Sequence, residues 1–347
     1  MKKFFIGIDF SKKTIDVSIV SKEKPGSAIA YKKFPNSEEG AQAMLDWACC
    51  KTQVGSNASD DIMFCGEHTG TYCTVVADFL SDKGYYLWLG NPLDIKRSMG
   101  LVRGKDDKVD SLRIATYAAT MEYKARLYVR PSDASRVLRQ LLNLRNQLVE
   151  NRKKYQVIKS ECPLNIKDVE LKQMVESMQD TMIAVVNDQI AQVERKIQEL
   201  IHSFEDMCKT FLILTSMKGI GLINASAIMC MTDCFKKFNY NSRQIAAYWG
   251  VVPYRNESGT SIRKGTHTSS MCHGWLRAIL TEASLSAIRH NSKMREYYEH
   301  LLKAGKHKSI ALNNVKNKML KTLVAMVRDG KNFDANFKPK QPKAKCA

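Results

Sequence analysis

The sequence predicts an α/β domain first, then two long helices, then a mainly helical C-terminal region. In residues 1–125, short apolar runs alternate with segments of helical periodicity, which is typical of an α/β domain. Between residues 131 and 210, apolar side chains recur every three or four positions, which predicts long helices with narrow apolar seams. Residues 211–330 show mostly helical patterns. The lysine-rich residues 331–347 are expected to form a disordered basic tail that is open to nucleic acid.

The composition is that of a globular protein. The chain has 347 residues, enough for two or three domains with cores of their own. It contains no run of about 18 apolar residues and no signal-peptide pattern at its start, so we expect no membrane span. Its ten cysteines form no C-x-x-C pair. We interpret them as reduced thiols of a cytoplasmic protein and not as zinc ligands.

The net charge of +19 indicates a polyanionic partner. Residues 286–347 hold fifteen Lys or Arg against four Asp or Glu, so +11 of the +19 lies in the last sixth of the chain. Lysine and arginine that neutralise phosphates release condensed counterions, which drives binding to nucleic acid. The alternative is a basic surface that only keeps the protein soluble.

The N-terminal strands and helices follow from their apolar patterns. The apolar run at residues 4–8 predicts a strand that ends at Asp9. The polar–apolar alternation over residues 14–20 predicts its hairpin partner. Further strands are predicted over residues 61–67 and 85–90, and helices over residues 38–50 and 71–83.

Four acidic residues close or open these elements. Asp9 closes the first strand and Glu67 closes a later one, while Asp107 and Asp110 share one face at the start of a helical pattern. Carboxylate oxygens bind hard divalent cations, and Mg²⁺ prefers them together with substrate phosphate. Two such ions about 3.5–4 Å apart can clamp both oxygens of a phosphoryl transfer. The set therefore predicts metal-assisted cutting or joining of nucleic acid.

Each of these carboxylates also has a simpler explanation. An aspartate at a strand end, such as Asp9, is commonly a turn former or a helix cap. Asp107 and Asp110 could complement a helix dipole. Asp106 competes as a ligand, although only Asp107 has a D-x-x-D partner. The set is more specific than its members, and its order resembles an RNase H-like (RuvC-type) nuclease core.

Residues 131–210 predict a helical hairpin or coiled coil. Ser132 or Asp133 is the predicted N-cap of the first helix, and Pro163 separates the two helices. We expect this hairpin also to dimerise. The predicted apolar seams are Val137, Leu141, Leu144 and Leu148 in the first helix, and Val186, Ile190, Val193, Ile197 and Leu200 in the second.

The run Lys218-Gly219-Ile220-Gly221 separates two helical segments. Two glycines around one apolar residue are typical of a helix–hairpin–helix turn, in which backbone N–H groups face a DNA phosphate. Lys218, Gly219 and Gly221 would then contact nucleic acid. The same pattern also occurs in simple helix linkers.

A small polar loop follows the apolar residues 248–252. The loop ends in Ser258-Gly259, and Arg263 and Lys264 come shortly after. A serine among cations can attack a phosphodiester, because the cations stabilise the charge that develops on the phosphate. Arg263 and Lys264 are therefore candidate phosphate contacts. The alternative is that Ser258 only forms the turn with Gly259.

Together these motifs resemble the IS110-type transposases and the related Piv invertases over roughly residues 3–330. The four carboxylates match the DEDD residues of that family, and two C-terminal motifs match its transposase domain. The matching residues are Asp9, Glu67, Asp107 and Asp110, then Gly219-Ile220-Gly221, and Pro253 with Ser258-Gly259.

The resemblance implies a recombinase that acts on double-stranded donor and target DNA at the bacterial nucleoid. It implies that the four carboxylates hold Mg²⁺ and that Ser258 forms a covalent phosphoserine intermediate. It further implies a homo-oligomer, from dimer to tetramer, in which the carboxylates of one subunit meet the serine of another. A structured guide (bridge) RNA would select both DNA sites by base pairing.

The sequence departs from the family pattern near the serine. Many relatives follow Ser-Gly with a further glycine and a basic residue, where this chain has Thr260 and Ser261. Ser261 therefore stays an alternative nucleophile. Ser269-Ser270-Met271 stands where relatives carry a basic-Gly triplet. Three other functions stay open: a Piv-type invertase, a Holliday-junction-type nuclease that uses water, and a nucleic-acid-binding scaffold with a decayed core.

Overall fold

The fold is taken from a computed structural model, which describes residues 2–55, 59–98, 106–161, 166–258, 262–272 and 274–337. Of residues 255–258 and 262–265 it describes the backbone only. The chain divides into two compact units, Met1–Arg130 and Pro131–Ala347. Each unit has its own apolar core.

A five-stranded mixed sheet forms the centre of the first unit, in the order β3-β2-β1-β4-β5. The first two strands form the predicted antiparallel hairpin, the third continues it, and the last two run parallel to the first. The strands are β1 (Phe4–Phe10), β2 (Thr14–Ser21), β3 (Ala30–Pro35), β4 (Ile62–Glu67) and β5 (Tyr86–Gly90).

Helices cover both faces of this sheet. Helices α1 (Glu38–Thr52) and α2 (Thr74–Asp82) confirm two predicted helices, and they share a core with Ile6 and Ile8 of β1. The opposite face, which includes Phe5, is covered by α4. The remaining bounds are α3 (Pro92–Ser98) and α4 (Asp107–Thr120).

Gly7 lets α4 lie directly on β1. A Cβ at this position would overlap the carbonyl oxygen of Ser111 and the backbone nitrogen of Ala115. Beside this contact the hydroxyl groups of Ser18 and Ser111 hydrogen-bond at 2.8 Å in the buried interior. Helix α4 runs antiparallel to β1. The carbonyl oxygen of Ala119, near the C-terminal end of the helix, accepts from Lys22 Nζ. Lys22 directly follows β2, whose last residue pairs with the first residue of β1.

In the second unit, α5 (Asp133–Glu161) and α6 (Val169–His202) form the predicted helical hairpin. Polar contacts between the two helices show that they are antiparallel, because residues further along α5 contact residues earlier in α6. Ser132 is the N-cap, because its Oγ accepts from the Ser135 N–H at 3.2 Å. Pro163 lies outside the described residues. The cross-helix pairs are Arg145 with Glu194, Arg152 with Asn187, and Lys159 with Asp180.

The predicted seam is confirmed in α6 and partly wrong in α5. In α6, four of the five predicted positions are buried and Leu200 is partly buried. In α5, Val137 and Leu144 are exposed, and Leu138 and Leu142 are buried instead. The buried face is rotated because α5 packs on α8 as well as on α6.

The remaining helices of the second unit share one core with this helical hairpin. A β-hairpin interrupts the helices where the sequence indicated only a loop. Phe333, at the start of the predicted tail, donates its N–H to Ser216 Oγ at 2.8 Å, and residues 338–347 lie outside the described part. The elements are α7 (Glu205–Thr215), α8 (Leu222–Thr232), α9 (Ser242–Tyr248), β6 (Pro253–Ser258), β7 (Ile262–Thr268), α10 (Gly274–His290), α11 (Ser292–Lys303) and α12 (Lys308–Asp329).

None of the helices in the described ranges combines the length and the apolar character that a bilayer crossing requires.

We expect Gly7→Ala to destabilise the protein, because the new methyl group must push α4 away from β1. Overpacking of this kind costs about 1–3 kcal/mol in the free energy of unfolding, which urea titration measures. Gly26→Ala is the matched control, because a Cβ there meets nothing within 4 Å. Equal stability of the two variants would contradict the close contact.

Candidate active site

Asp9 and Glu67 lie at the same end of the sheet. Strands β1 and β4 are parallel, and their register pairs Ile8 with Gly66, so Asp9 and Glu67 come next on neighbouring strands. Side chains alternate between the faces of a strand. Asp9 is therefore on the same face as Gly7, beneath α4. The predicted arrangement at one sheet edge is present for this pair.

The first turn of α4 lies at that same end. Since Gly7 contacts Ser111 and the helix runs antiparallel to β1, the residues before Ser111 extend towards the carboxyl end of β1. Asp107 and Asp110 are both in this first turn. The backbone thus directs all four predicted carboxylates to one end of the sheet.

Asp106 and Asp110 have partners within α4. Asp106 is the N-cap, with its Oδ1 accepting from the Lys108 N–H at 3.0 Å, which accounts for this residue as a helix cap. Asp110 forms an ion pair with Arg113, whose Nη1 lies 2.6 Å from Asp110 Oδ1. Arg113 supplies positive charge next to this candidate metal ligand.

The carboxylates are near one another in the fold without forming a ligand sphere. Within the described ranges, no group of three or more His, Cys, Asp and Glu side chains is close enough to hold a metal ion. The chemistry of the donors nevertheless fits a hard divalent cation, because they are all carboxylate oxygens. The side chains would have to turn towards each other around the ion.

Asp16 is a fifth carboxylate at this end, and sequence reasoning missed it. It pairs in register with Asp9 on the antiparallel hairpin, and it is only 1% exposed. Its Oδ1 accepts from the Tyr31 hydroxyl at 2.5 Å, and Lys33 Nζ lies 3.2 Å from its Oδ2. In the sequence, Asp16 is one polar position in the alternation of β2, which by itself does not indicate a site residue. Its register with Asp9 is the signal that could have identified it.

The negative charge of this region extends to β3. The pKa of Tyr31 is raised to about 12, first by the hydrogen bond to Asp16 and then by burial. The charges of Asp16, Asp106 and Asp107 raise it further. Carboxylates of β2 and of the start of α4 therefore both act on Tyr31 of β3.

Ser258 ends β6 and pairs with Ile262 of β7, after a register shift between Arg255 and Glu257. The candidate serine thus ends one arm of an antiparallel hairpin. Gly259, Thr260 and the alternative nucleophile Ser261 lie outside the described residues. The backbones of Arg263 and Lys264 belong to β7.

The Gly219–Gly221 turn joins two helices as predicted. Gly219 has φ +107°, and a Cβ there would lie 2.8 Å from the Cα of Ala287, so packing against α10 requires this glycine. Gly221 is the N-cap of α8 and has open space around it, and Lys218 is exposed. Gly219 therefore has a structural explanation, while Lys218 and Gly221 remain accessible to a phosphate.

Comparison with known proteins gives a family match in each half of the chain. A DEDD-type IS110 transposase model matches residues 6–159, and a model of the IS116/IS110/IS902 transposase family matches residues 212–299. The chain belongs to the IS110 transposase family. The predicted family is confirmed, and this family member is a DNA transposase or recombinase.

Named relatives agree with this assignment. The IS110-family chain is 25% identical over 338 residues to the pilin gene-inverting protein of Moraxella bovis, covering 96% of this chain and 98% of the relative. The pilin gene-inverting protein of Moraxella lacunata matches with the same identity and coverage. An uncharacterized IS110 insertion-element protein of Streptomyces coelicolor is 26% identical over 125 residues, covering 36% of this chain and 30% of the relative.

Membership in the IS110 family has three consequences. It implies an RNase H-like fold for the DEDD domain, with which the mixed sheet agrees. It implies DNA as the substrate, and it implies dependence on a divalent metal ion.

We expect Asp16→Asn to weaken metal use. The variant removes one negative charge beside Asp9 and keeps the size of the side chain. Changing a residue that supports metal ligands typically costs about 10–100-fold in metal affinity or activity. The measurement is the Mg²⁺ concentration for half-maximal DNA cleavage.

Asp61→Asn is the control for Asp16→Asn, since it removes a carboxylate of the same unit that pairs with Lys3 at the surface. An unchanged Mg²⁺ requirement in Asp16→Asn would exclude a role for Asp16 in the site.

Proposed function

We propose that this IS110-family protein cuts and rejoins double-stranded DNA through a phosphoserine intermediate. Mg²⁺ would be held by Asp9, Glu67, Asp107 and Asp110, and Ser258 would be the nucleophile. One feature supports the metal role above the others: the register of β1 and β4, with antiparallel α4, directs all four carboxylates to one end of the sheet.

The chemistry assigns separate tasks to these groups. Bound Mg²⁺ supplies charge neutralisation at the phosphate oxygens. Ser258 Oγ loses its proton and bonds to phosphorus, while the bond from phosphorus to one sugar oxygen breaks and that oxygen takes up a proton. The free energy of the broken phosphodiester bond is kept in the new bond between Ser258 Oγ and phosphorus. Attack by a hydroxyl of the partner DNA strand then releases Ser258 and completes the exchange.

Cationic side chains and a helix N-terminus would hold the DNA backbone. Lys218 and the N-cap residue Gly221 support a phosphate contact at the start of α8, because backbone N–H groups at a helix N-terminus favour anions. Arg263 and Lys264 follow Ser258 on β7 and are proposed to contact phosphates near the cleaved bond. Gly219 takes no direct part, since packing against Ala287 accounts for it.

DNA inversion is the second candidate function. It is favoured by the match to the pilin gene-inverting proteins over nearly the whole chain. The bond chemistry would be the same. Inversion joins two sites on one DNA molecule, whereas transposition joins a donor and a target.

A structured guide RNA is proposed as a second nucleic-acid partner. The support is the family assignment together with the net charge of +19, which suits a protein that binds more than one polyanion. Base pairing by the RNA would choose the sequence, and the protein would contact mainly backbone.

We expect Ser258→Ala and Asp9→Ala each to abolish recombination while DNA binding persists. Loss of the nucleophile should lower the rate by about 10³-fold or more. The assay denatures wild-type protein with labelled DNA in detergent and detects a covalent adduct. Wild type should form the adduct, and Ser258→Ala should not.

Controls for this assay separate the alternatives. Ser270→Ala removes an exposed serine nearby and should keep the adduct. An adduct that survives in Ser258→Ala and disappears in Ser261→Ala would transfer the role to Ser261. Cutting without any adduct would favour the nuclease that uses water. Chelation should stop cutting and Mg²⁺ should restore it, while ribonuclease treatment tests the need for RNA.

The protein is also proposed to form a homo-oligomer, from dimer to tetramer. Supporting this, α6 carries a stripe of apolar side chains, each about half exposed, at spacings of three or four residues. One helix face of this kind is suited to pairing with a second copy. The stripe consists of Leu171, Met174, Met178, Met182 and Val185.

We expect the double variant Met178→Glu/Met182→Glu to dissociate the oligomer, because opposed carboxylates would be buried in the apolar contact. Light scattering after gel filtration measures the mass. Met271→Glu is the matched control, since Met271 is an exposed methionine outside the stripe. An unchanged mass of the double variant would contradict the use of this stripe.

A further inference from the structure

The base of the β6–β7 hairpin is held by the guanidinium of Arg277 on α10. Its Nη2 donates a hydrogen bond to the carbonyl oxygen of Ser269, which directly follows β7. The same nitrogen approaches Gly250, just before β6, so closely that a Cβ there would overlap it. Arg277 therefore contacts the chain at both ends of the hairpin.

Helix α12 also contacts the chain just before β6. Asn313 and Asn317 each donate from Nδ2 to the carbonyl oxygen of Val251, at 2.9 Å in both cases. Lys316 comes three residues after Asn313, and residues three apart are neighbours on a helix surface. Lys316 is thus next to one of the two side chains that hold the chain just before β6.

Arg277 and Lys316 form a pair of like charges. The pKa of Lys316 is lowered, first by burial and then by the positive charge of Arg277. Among the side chains that the structure describes, no carboxylate forms an ion pair with either cation. Arg277 Nε is moreover buried without a hydrogen-bond partner there.

A purely structural clamp does not account for this pair. One arginine is enough to link Ser269 with Gly250, and a second cation nearby opposes it electrostatically. A buried donor without a partner and uncompensated charge both cost free energy. A bound anion would offset the cost of the uncompensated charge, because it would pair with the two cations.

We propose that Arg277 and Lys316 form a phosphate site that binds one phosphodiester of the nucleic acid at the base of the Ser258 hairpin. The identity of the ligand rests on the proposed function. Arginine would give planar, directed N–H donors, and lysine would add a point charge. Arg277 on α10 and Lys316 on α12 belong to other elements than Lys218, Arg263 and Lys264, so they add a contact to those already proposed.

The test measures how nucleic-acid binding depends on salt. Ser258→Ala protein, which cannot cut, is titrated with a short duplex DNA and separately with a short duplex RNA at several KCl concentrations. The logarithm of the binding constant falls linearly with the logarithm of the salt concentration, and each lost phosphate contact makes this line less steep by about 0.9 on B-DNA. Lys316→Gln and Arg277→Gln should each show this loss, and Lys316→Arg should restore the slope.

Lys321→Gln is the matched control, because Lys321 is exposed on the same helix and its loss changes the net charge equally. A less steep salt dependence in Lys316→Gln than in Lys321→Gln supports the site. Whether this difference appears with the DNA duplex or with the RNA duplex identifies the nucleic acid that the site binds. Equal slopes for these two variants on both DNA and RNA would overturn it. Should Arg277→Gln unfold, the three lysine variants still decide.

The proposed function fails in a different way. It fails when wild-type protein gives no covalent adduct with DNA, whatever the salt slopes are. Reduced slopes without an adduct would keep the phosphate site and remove the serine mechanism. An adduct with unchanged slopes would keep the mechanism and remove the site.

Discussion

The contact between α4 and β1 at Gly7 is the constraint on which the carboxylate cluster depends. Because this residue has no side chain, the helix backbone reaches the strand, and the hydrogen bond between the Ser18 and Ser111 hydroxyl groups holds it there. The antiparallel direction then brings the positive end of the helix dipole to the carboxyl end of the sheet. That dipole offsets part of the repulsion between Asp9 and Asp107.

Side-chain cations balance the remaining charge. Arg113 pairs with Asp110, and Lys33 pairs with the buried Asp16. Under the proposed function a divalent ion would bring positive charge to the same end of the sheet, and at Asp110 it would compete with Arg113. Asp110 and Asp16 each keep an ion partner in the structure, which has no complete ligand sphere among the described residues.

The sequence predicted those parts of the molecule whose pattern depends on local neighbours. The strand ends at Asp9 and Glu67 were predicted from apolar runs; β4 does end at Glu67, and β1 continues one residue beyond Asp9 to Phe10. Asp16 escaped notice because one polar position in an alternating strand does not by itself indicate a site residue. The α5 seam was displaced because α8 is a second neighbour that periodicity cannot reveal. The β6–β7 hairpin was missed because the sequence of its two arms carries no apolar alternation, and Tyr254 of β6 is half exposed.

The position of the serine depends on contacts between segments that are distant in the sequence. Ser258 ends a strand whose beginning is held by Asn313, Asn317 and Arg277, so the hairpin is anchored by two helices at its base. A nucleophile on an anchored strand loses less conformational freedom on meeting its phosphate than one on a free loop, which lowers the barrier to reaction. The anchoring groups are themselves polar or cationic. The features that fix the hairpin are therefore also suited to hold the nucleic acid on which it acts.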